Sequence, residues 1–290
     1  MSQEVVRFNA TDGIKLDGFI NKSDKESKKI YIFVHGMISN CFKDRDACIS
    51  AELNNIGIDT LGFNNRGSEV ARIIKGNNGF SKMAGTAFEE VTESYYDICG
   101  AIEFAINRGY EEIYLQGHSL GSTKVVYSYN KMLKENYPNV SKIKALVLLS
   151  LVDVPNVINY FGQKYLAYAE DLVSKGHGDV IMQDEAFPYP LSLKTFLRYA
   201  KNGADINFAN FGNENGNFDV LNSFKIPLLF RWGNVKEILL MDVNKQVDFV
   251  KAKIHNEKMD VGYIDGADHS YHGKEEQLAY EITEFLKNIL

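Results

Sequence analysis

Apolar and polar positions alternate over Val5 to Asn9 and again over Ile14 to Ile20, with Thr11-Asp12-Gly13 between them. A period of two broken by Asp-Gly predicts a β-hairpin. Beyond the charged stretch Lys22 to Lys29, Ile30-Tyr31-Ile32-Phe33-Val34 is a continuous apolar run of strand length, ended by His35-Gly36-Met37. Asp44 to Leu53 has helical spacing, and Ile58 to Phe63 is the next strand, ending in Asn64-Asn65-Arg66-Gly67. Glu89 to Arg108 reads as a long amphipathic helix, with Tyr95, Ile98, Ile102 and Ala105 among its apolar positions. The same reading predicts a strand at Ile113-Tyr114-Leu115 and a helix over Lys124 to Leu133. Strands follow at Ile143 to Leu151, Ile226 to Trp232 and Met259 to Ile264, and a helix over Lys274 to Leu290.

Apolar strands separated by helices predict a mostly parallel sheet covered on both faces, with the opening hairpin as an antiparallel edge. The alternation stops between Val152 and Lys225. A structureless loop of that length is implausible in a folded domain. The expectation is one α/β core, 1–152 and 226–290, carrying a helical cap at 153–225. Asn156 to Ser174 and Leu191 to Lys201 are its expected helices, and Asn207 to Asn222 is expected to be irregular. The aromatic residues from Tyr160 to Tyr199 are expected to pack the cap onto the sheet, some of them lining a pocket.

Composition narrows the class. The chain has 290 residues, 45% hydrophobic and 24% charged, enough for one large core. A net charge of −6 gives no electrostatic support for nucleic-acid binding. No apolar run approaches the ~20 residues that span a bilayer. The N-terminus lacks a basic region followed by an apolar stretch, so no signal peptide is expected. Cys41, Cys48 and Cys99 form no CxxC pair and read as free thiols of a reducing cytoplasm. Neither a Walker A pattern nor H-E-x-x-H spacing occurs, and no cofactor or metal is expected.

Chemistry is concentrated in Gly117-His118-Ser119-Leu120-Gly121. The pentapeptide is G-x-S-x-G between an apolar strand and a helix, the context in which a turn exposes a serine hydroxyl. Small residues two before and two after Ser119 let the backbone bend sharply. The helix that follows points its N-terminus at developing negative charge. Acyl transfer through Ser119 also needs a base, an acid to orient it and an oxyanion hole. Of six histidines, His269 in Gly266-Ala267-Asp268-His269 follows the final strand and is favoured as base, with His272 its rival. His35 is expected to be structural. The acid is Glu237, the one carboxylate in Gly233-Asn234-Val235-Lys236-Glu237-Ile238, or Asp153 after the preceding strand. Pro155 is expected to keep the stretch after Asp153 extended. The oxyanion donors would be the backbone N–H groups of Leu120 and Met37. Arg66 is expected to be tied to a neighbouring loop rather than to bind substrate.

Together the hairpin, His35-Gly36, the Gly117–Gly121 elbow, the insert and the terminal Gly-x-x-His resemble the α/β-hydrolase superfamily over nearly the whole chain. Within it, Asn64 to Gly67, Leu149 to Asp153 and Ala267 to Tyr271 are similar to serine esterases that include fungal siderophore (fusarinine) esterases. The chain departs from the superfamily pattern after Gly233, where Lys236 occupies the usual acid position. The resemblance implies a cofactor-free serine hydrolase acting on a small-molecule acyl substrate. An acyltransferase using the same acyl-serine, or a non-catalytic binding protein on this scaffold, are the alternatives. Nothing in the sequence indicates an oligomeric state.

Overall fold

The computed structural model describes residues 2–182, 187–201, 206–213, 215–216 and 218–289. Within the expected cap, 183–186, 202–205, 214 and 217 therefore lie outside the described residues, as do the first and last residues of the core.

The opening hairpin is β1 (Ser2–Asn9) and β2 (Lys15–Lys22). It is followed by β3 (Lys29–Val34), α1 (Asp44–Asn55), β4 (Asp59–Phe63), and a small separate hairpin of β5 (Arg72–Lys75) and β6 (Ser81–Ala84). Next come α2 (Ser94–Asn107), β7 (Glu112–His118), α3 (Leu120–Lys134) and β8 (Ile143–Leu149). The insert holds α4 (Val154–Gly162), α5 (Leu166–Ser174), α6 (Leu193–Lys201) and the short α7 (Asp219–Ser223). The chain closes with β9 (Leu228–Gly233), α8 (Val243–Lys253), β10 (Met259–Ile264) and α9 (Glu275–Lys287).

Eight strands form one sheet in the order β1-β2-β4-β3-β7-β8-β9-β10. The β1/β2 and β2/β4 pairs are antiparallel; every other pair is parallel. The continuous apolar runs divide between the two faces because strand side chains alternate. Ile30, Ile32, Ile113, Leu115, Leu146 and Leu148 meet α2, α3 and α8 on one side. Tyr31, Phe33, Tyr114, Ala145, Val147 and Leu149 meet α1 and α9 on the other. Parallel pairing brings the loops after β3, β7, β8, β9 and β10 to one edge of the sheet, which is where an open α/β sheet binds ligands.

Local structure departs from the hydropathy reading in several places. Before α2, residues 89–93 run as turns, and Glu89 is buried against Lys124 instead of starting the helix. The apolar stretch Asn156 to Ser174 is two helices broken by a turn at Gln163–Tyr165. At this break a side chain on Gly162 would meet the Phe196 ring at 2.4 Å, so the glycine permits α4 and α6 to touch. Pro155 sits in the first turn of α4 rather than in extended chain. There it sacrifices no hydrogen bond, because the first N–H groups of a helix have no intrahelical partner. The β5/β6 hairpin and α8 fill stretches that the pattern leaves unassigned. The insert itself contains two kinds of packing. α4, α5 and α6 share a cluster centred on Ile158, Phe196 and Tyr199. Phe208, Phe211, Phe218 and Phe224 instead join the main core, with Phe211 edge-on to Trp232 and Phe224 edge-on to Tyr129. Tyr160 and Tyr168 of the insert are exposed, contrary to the expectation that they pack it onto the sheet.

Candidate active site

Ser119 is held between β7 and α3 at φ 56° and ψ −126°, a conformation an L-residue adopts at a cost of about 1–3 kcal/mol. The turn is clamped by hydrogen bonds: Ser119 N–H donates to the Leu149 carbonyl (2.9 Å), and the Ser122 hydroxyl donates to the same carbonyl (2.8 Å). The flanking glycines are steric requirements. A Cβ on Gly117 would lie 2.4 Å from the Gly121 carbonyl oxygen, and one on Gly121 would lie 2.1 Å from that of Val34. Gly36 has the same function from the opposite side, where a Cβ would be 2.7 Å from the His118 oxygen and 3.2 Å from the Leu120 nitrogen. Gly36 thus brings the loop carrying Met37 against the first residue of α3, whose N–H has no partner within its own helix.

His269 follows β10, and its Nδ1 is hydrogen-bonded to Oε1 of Glu237. The carboxylate of Glu237 is almost fully buried and has three further donors: Ser150 Oγ (2.7 Å), Gly233 N–H (2.9 Å) and Ile238 N–H (2.9 Å). Burial alone would raise this carboxyl. The His269 ring, the Gly233 N–H and the Ser150 hydroxyl outweigh it and hold Glu237 below the usual glutamate range. The loops are tied together, since Asn234 and Val235 N–H both donate to the Ala267 carbonyl. Lys236 adopts φ 50°, and this left-handed turn directs the next residue, Glu237, back toward the imidazole.

The competing side chains are engaged elsewhere. Asp153 caps α4, accepting from Asn156 N–H and Nδ2, and also holds Gly212 N–H at 2.9 Å. His272 is paired with Asp268 and is 72% exposed. His35 is buried between the Gly36 carbonyl and the Asn65 N–H, and burial followed by the nearby Lys124 charge lowers it to about 3. Arg66 is enclosed by Asp97, Glu93 and Asp12, and its guanidinium joins the loop after β4 to α2.

Two cavities meet at Ser119. One is a cleft of about 410 Å³ that also reaches His269, Lys43, Asp44, His272 and Glu275. The other holds about 40 Å³ and is walled by Leu120, Val152, Val154, Val157, Ile158 and Tyr189. Met37 borders both.

No family model and no curated protein matches this sequence. Solved structures do. Est1E from Butyrivibrio proteoclasticus, with ferulic acid bound, superposes with a TM-score of 0.66 at 19% identity, covering 97% of this chain and 98% of that one. The Pyrococcus furiosus esterase Pf2001 gives 0.64 at 19% identity, covering 99% and 91%. The mouse α/β-hydrolase domain-containing protein 10 gives 0.61 at 14% identity, covering 99% and 100%. The fold is the α/β-hydrolase fold.

Within this hydrolase fold, three side chains near His269 were not singled out by the sequence reading. Ser150, at φ 45° just past β8, donates to Glu237 and lies 3.0 Å from the Tyr271 hydroxyl. Tyr271 is fully buried and donates to the Arg231 carbonyl at 2.7 Å. His118, the variable residue of the elbow, donates from Nε2 to the His269 carbonyl at 2.7 Å. Burial, and then the Arg45 charge, hold His118 neutral. The one local signal for Ser150 is a polar residue ending an otherwise apolar strand. Among the described residues no group of three metal-ligating side chains converges, and no helix is long and apolar enough to cross a membrane.

Proposed function

We propose that the protein is a serine hydrolase that cleaves a carboxylic ester, or a related thioester or amide, through an acyl-Ser119 intermediate. The observation that carries this reading is the buried Glu237 carboxylate on Nδ1 of His269, whose ring lines the same cleft as Ser119. His269 Nε2 accepts the Ser119 proton as Oγ attacks the carbonyl carbon. The Met37 and Leu120 N–H groups hold the resulting oxyanion. The tetrahedral intermediate collapses, the bond to the leaving group breaks, and His269 returns the proton to that group. A water then loses a proton to His269 and attacks the acyl carbon; the bond to Ser119 Oγ breaks, His269 returns the proton to that oxygen, and the acid and free Ser119 are released. Glu237 fixes the imidazole tautomer and stabilises its positive charge. The esterases among the structural neighbours are consistent with this chemistry.

Transfer to another acceptor would use the same acyl-serine, and product analysis with competing alcohols or amines separates it from hydrolysis. Lys236 at the usual acid position is the feature that favours a non-catalytic binding protein, and Glu237 on the imidazole weighs against it. The narrower likeness to siderophore esterases belongs to this proposal without its substrate, and the free cysteines support a reducing, cytoplasmic setting. The test is covalent labelling with a fluorophosphonate bearing short alkyl groups, followed by peptide mass spectrometry. The adduct is expected on Ser119 and absent from Ser119→Ala. Folded protein that takes up no label would overturn the proposal.

A further inference from the structure

The two cavities at Ser119 differ in size and chemistry, and the position of His269 decides which part of a substrate enters each. The leaving group must receive a proton from His269, so it extends into the cavity that His269 lines. That is the 410 Å³ cleft, with Lys43, Asp44, His272 and Glu275 on its walls beside the apolar Met37, Ile38 and Phe42. The acyl group points away from the departing atom, into the 40 Å³ cavity. Its walls are Val152, Val154, Val157, Ile158, Tyr189 and Ile238, with Leu120 at the elbow. A cavity of this size holds about three water-sized groups. Val154, Val157 and Ile158 all belong to α4 and are buried. Asp153 anchors that helix through its cap and through Gly212, so the wall does not recede without breaking those bonds.

We infer that the substrate joins a short apolar acyl group of two to four carbons to a polar, hydroxylated leaving group. This inference rests on the acyl-Ser119 reading. The cleft is mixed but carries both charge signs, which would be left without partners by a fatty alcohol and so favour a leaving group that hydrogen-bonds, whereas the small cavity solvates no charge. α4 is the specificity-determining element, and Ile158 and Val154 set the depth of the acyl cavity.

The experiment measures kcat/KM of the full chain on p-nitrophenyl acetate, butanoate, octanoate and dodecanoate, and on glycerol monoacetate against hexyl acetate. Fluorophosphonate labelling of Ser119 is run in parallel. Acetate or butanoate is expected to exceed octanoate by about tenfold or more, because an overlong chain forces a packed wall to shift. Glycerol monoacetate is expected to exceed hexyl acetate. Ile158→Ala, or Val154→Ala should the first variant not fold, is expected to raise the octanoate-to-butanoate ratio. Labelled protein that prefers octanoate or dodecanoate would overturn the acyl assignment, and a preference for hexyl acetate would overturn the leaving-group assignment. Folded protein with neither labelling nor turnover on any ester would reject the acyl-serine reading itself, and the substrate inference with it.

Discussion

Glu237 and His269 lie 32 residues apart in the chain and are joined by a hydrogen bond from the imidazole Nδ1 to a carboxylate that is almost fully out of water. Three other donors surround the same carboxylate, from Ser150, Gly233 and Ile238. A buried charge is tolerable only when so compensated. The same donors fix where the negative charge sits relative to the ring.

Replacing each candidate acid separates their roles. Glu237→Gln is expected to lower kcat on a p-nitrophenyl ester by about 10²–10⁴-fold, since a neutral amide neither selects the tautomer nor stabilises the imidazolium. Asp153→Asn is expected to keep most of the activity. Asp153→Ala is expected to lose about 1–3 kcal/mol of stability, through the α4 cap and the Gly212 N–H. Denaturant unfolding beside steady-state kinetics checks both. A larger catalytic loss in Asp153→Asn than in Glu237→Gln would reverse the assignment.

Ser119, the proposed nucleophile, also carries backbone strain. Ser119→Ala and Ser119→Gly are both expected to lower kcat by about 10⁴-fold or more. Only glycine adopts the left-handed turn without penalty, so Ser119→Gly is expected to be about 1 kcal/mol more stable than Ser119→Ala. Equal unfolding midpoints for the two variants would argue against strain at the elbow.

Ser150 is expected to act through Glu237 rather than on substrate. Ser150→Ala removes one hydrogen bond to a buried carboxylate, at a cost of about 1.5–3 kcal/mol in stability. With the carboxylate less firmly held, kcat is expected to fall, but by less than in Glu237→Gln. KM is expected to stay near the parent value, because Ser150 lines neither cavity at Ser119. A change confined to KM would contradict this role.

Acid sensitivity should arise from His35 and His118. Both are buried and neutral, His35 lowered to about 3 and His118 well below its ordinary value. The unfolded chain protonates these imidazoles near pH ~6.5 while the native state does not. Their stabilising contribution is therefore complete above that pH and declines as the pH falls below it, by up to about 1.4 kcal/mol per unit for each ring. His118→Gln is expected to remove its share of the slope between about pH 4.5 and 6. Chemical unfolding at a series of pH values measures this, and an unchanged slope would show that native His118 binds a proton in that range.

The sheet, most of the covering helices and the serine elbow follow from local order in the chain. A period of two, a period of 3.6 and Gly-x-Ser-x-Gly between strand and helix are properties of neighbouring residues. Ser119 and His269 are legible as candidates for that reason, one by its pentapeptide and the other by its place after the last strand, and the fold brings both to one cleft. The carboxylate was legible only as a preference: Glu237 is the one carboxylate in the loop after the penultimate strand, and Asp153, after the strand before it, is its rival at the same sheet edge. The choice depended on the left-handed turn at Lys236 and on Ser150 and Gly233 converging from other strands, contacts that exist only once the sheet has assembled. The break at Gln163–Tyr165 and the depth of the cavity under α4 have the same origin. Hydrophobic periodicity determines that a segment is helical and which stripe is buried. Where that helix stops, and how much space it leaves above a serine more than thirty residues earlier, are decided by the side chains that pack against it.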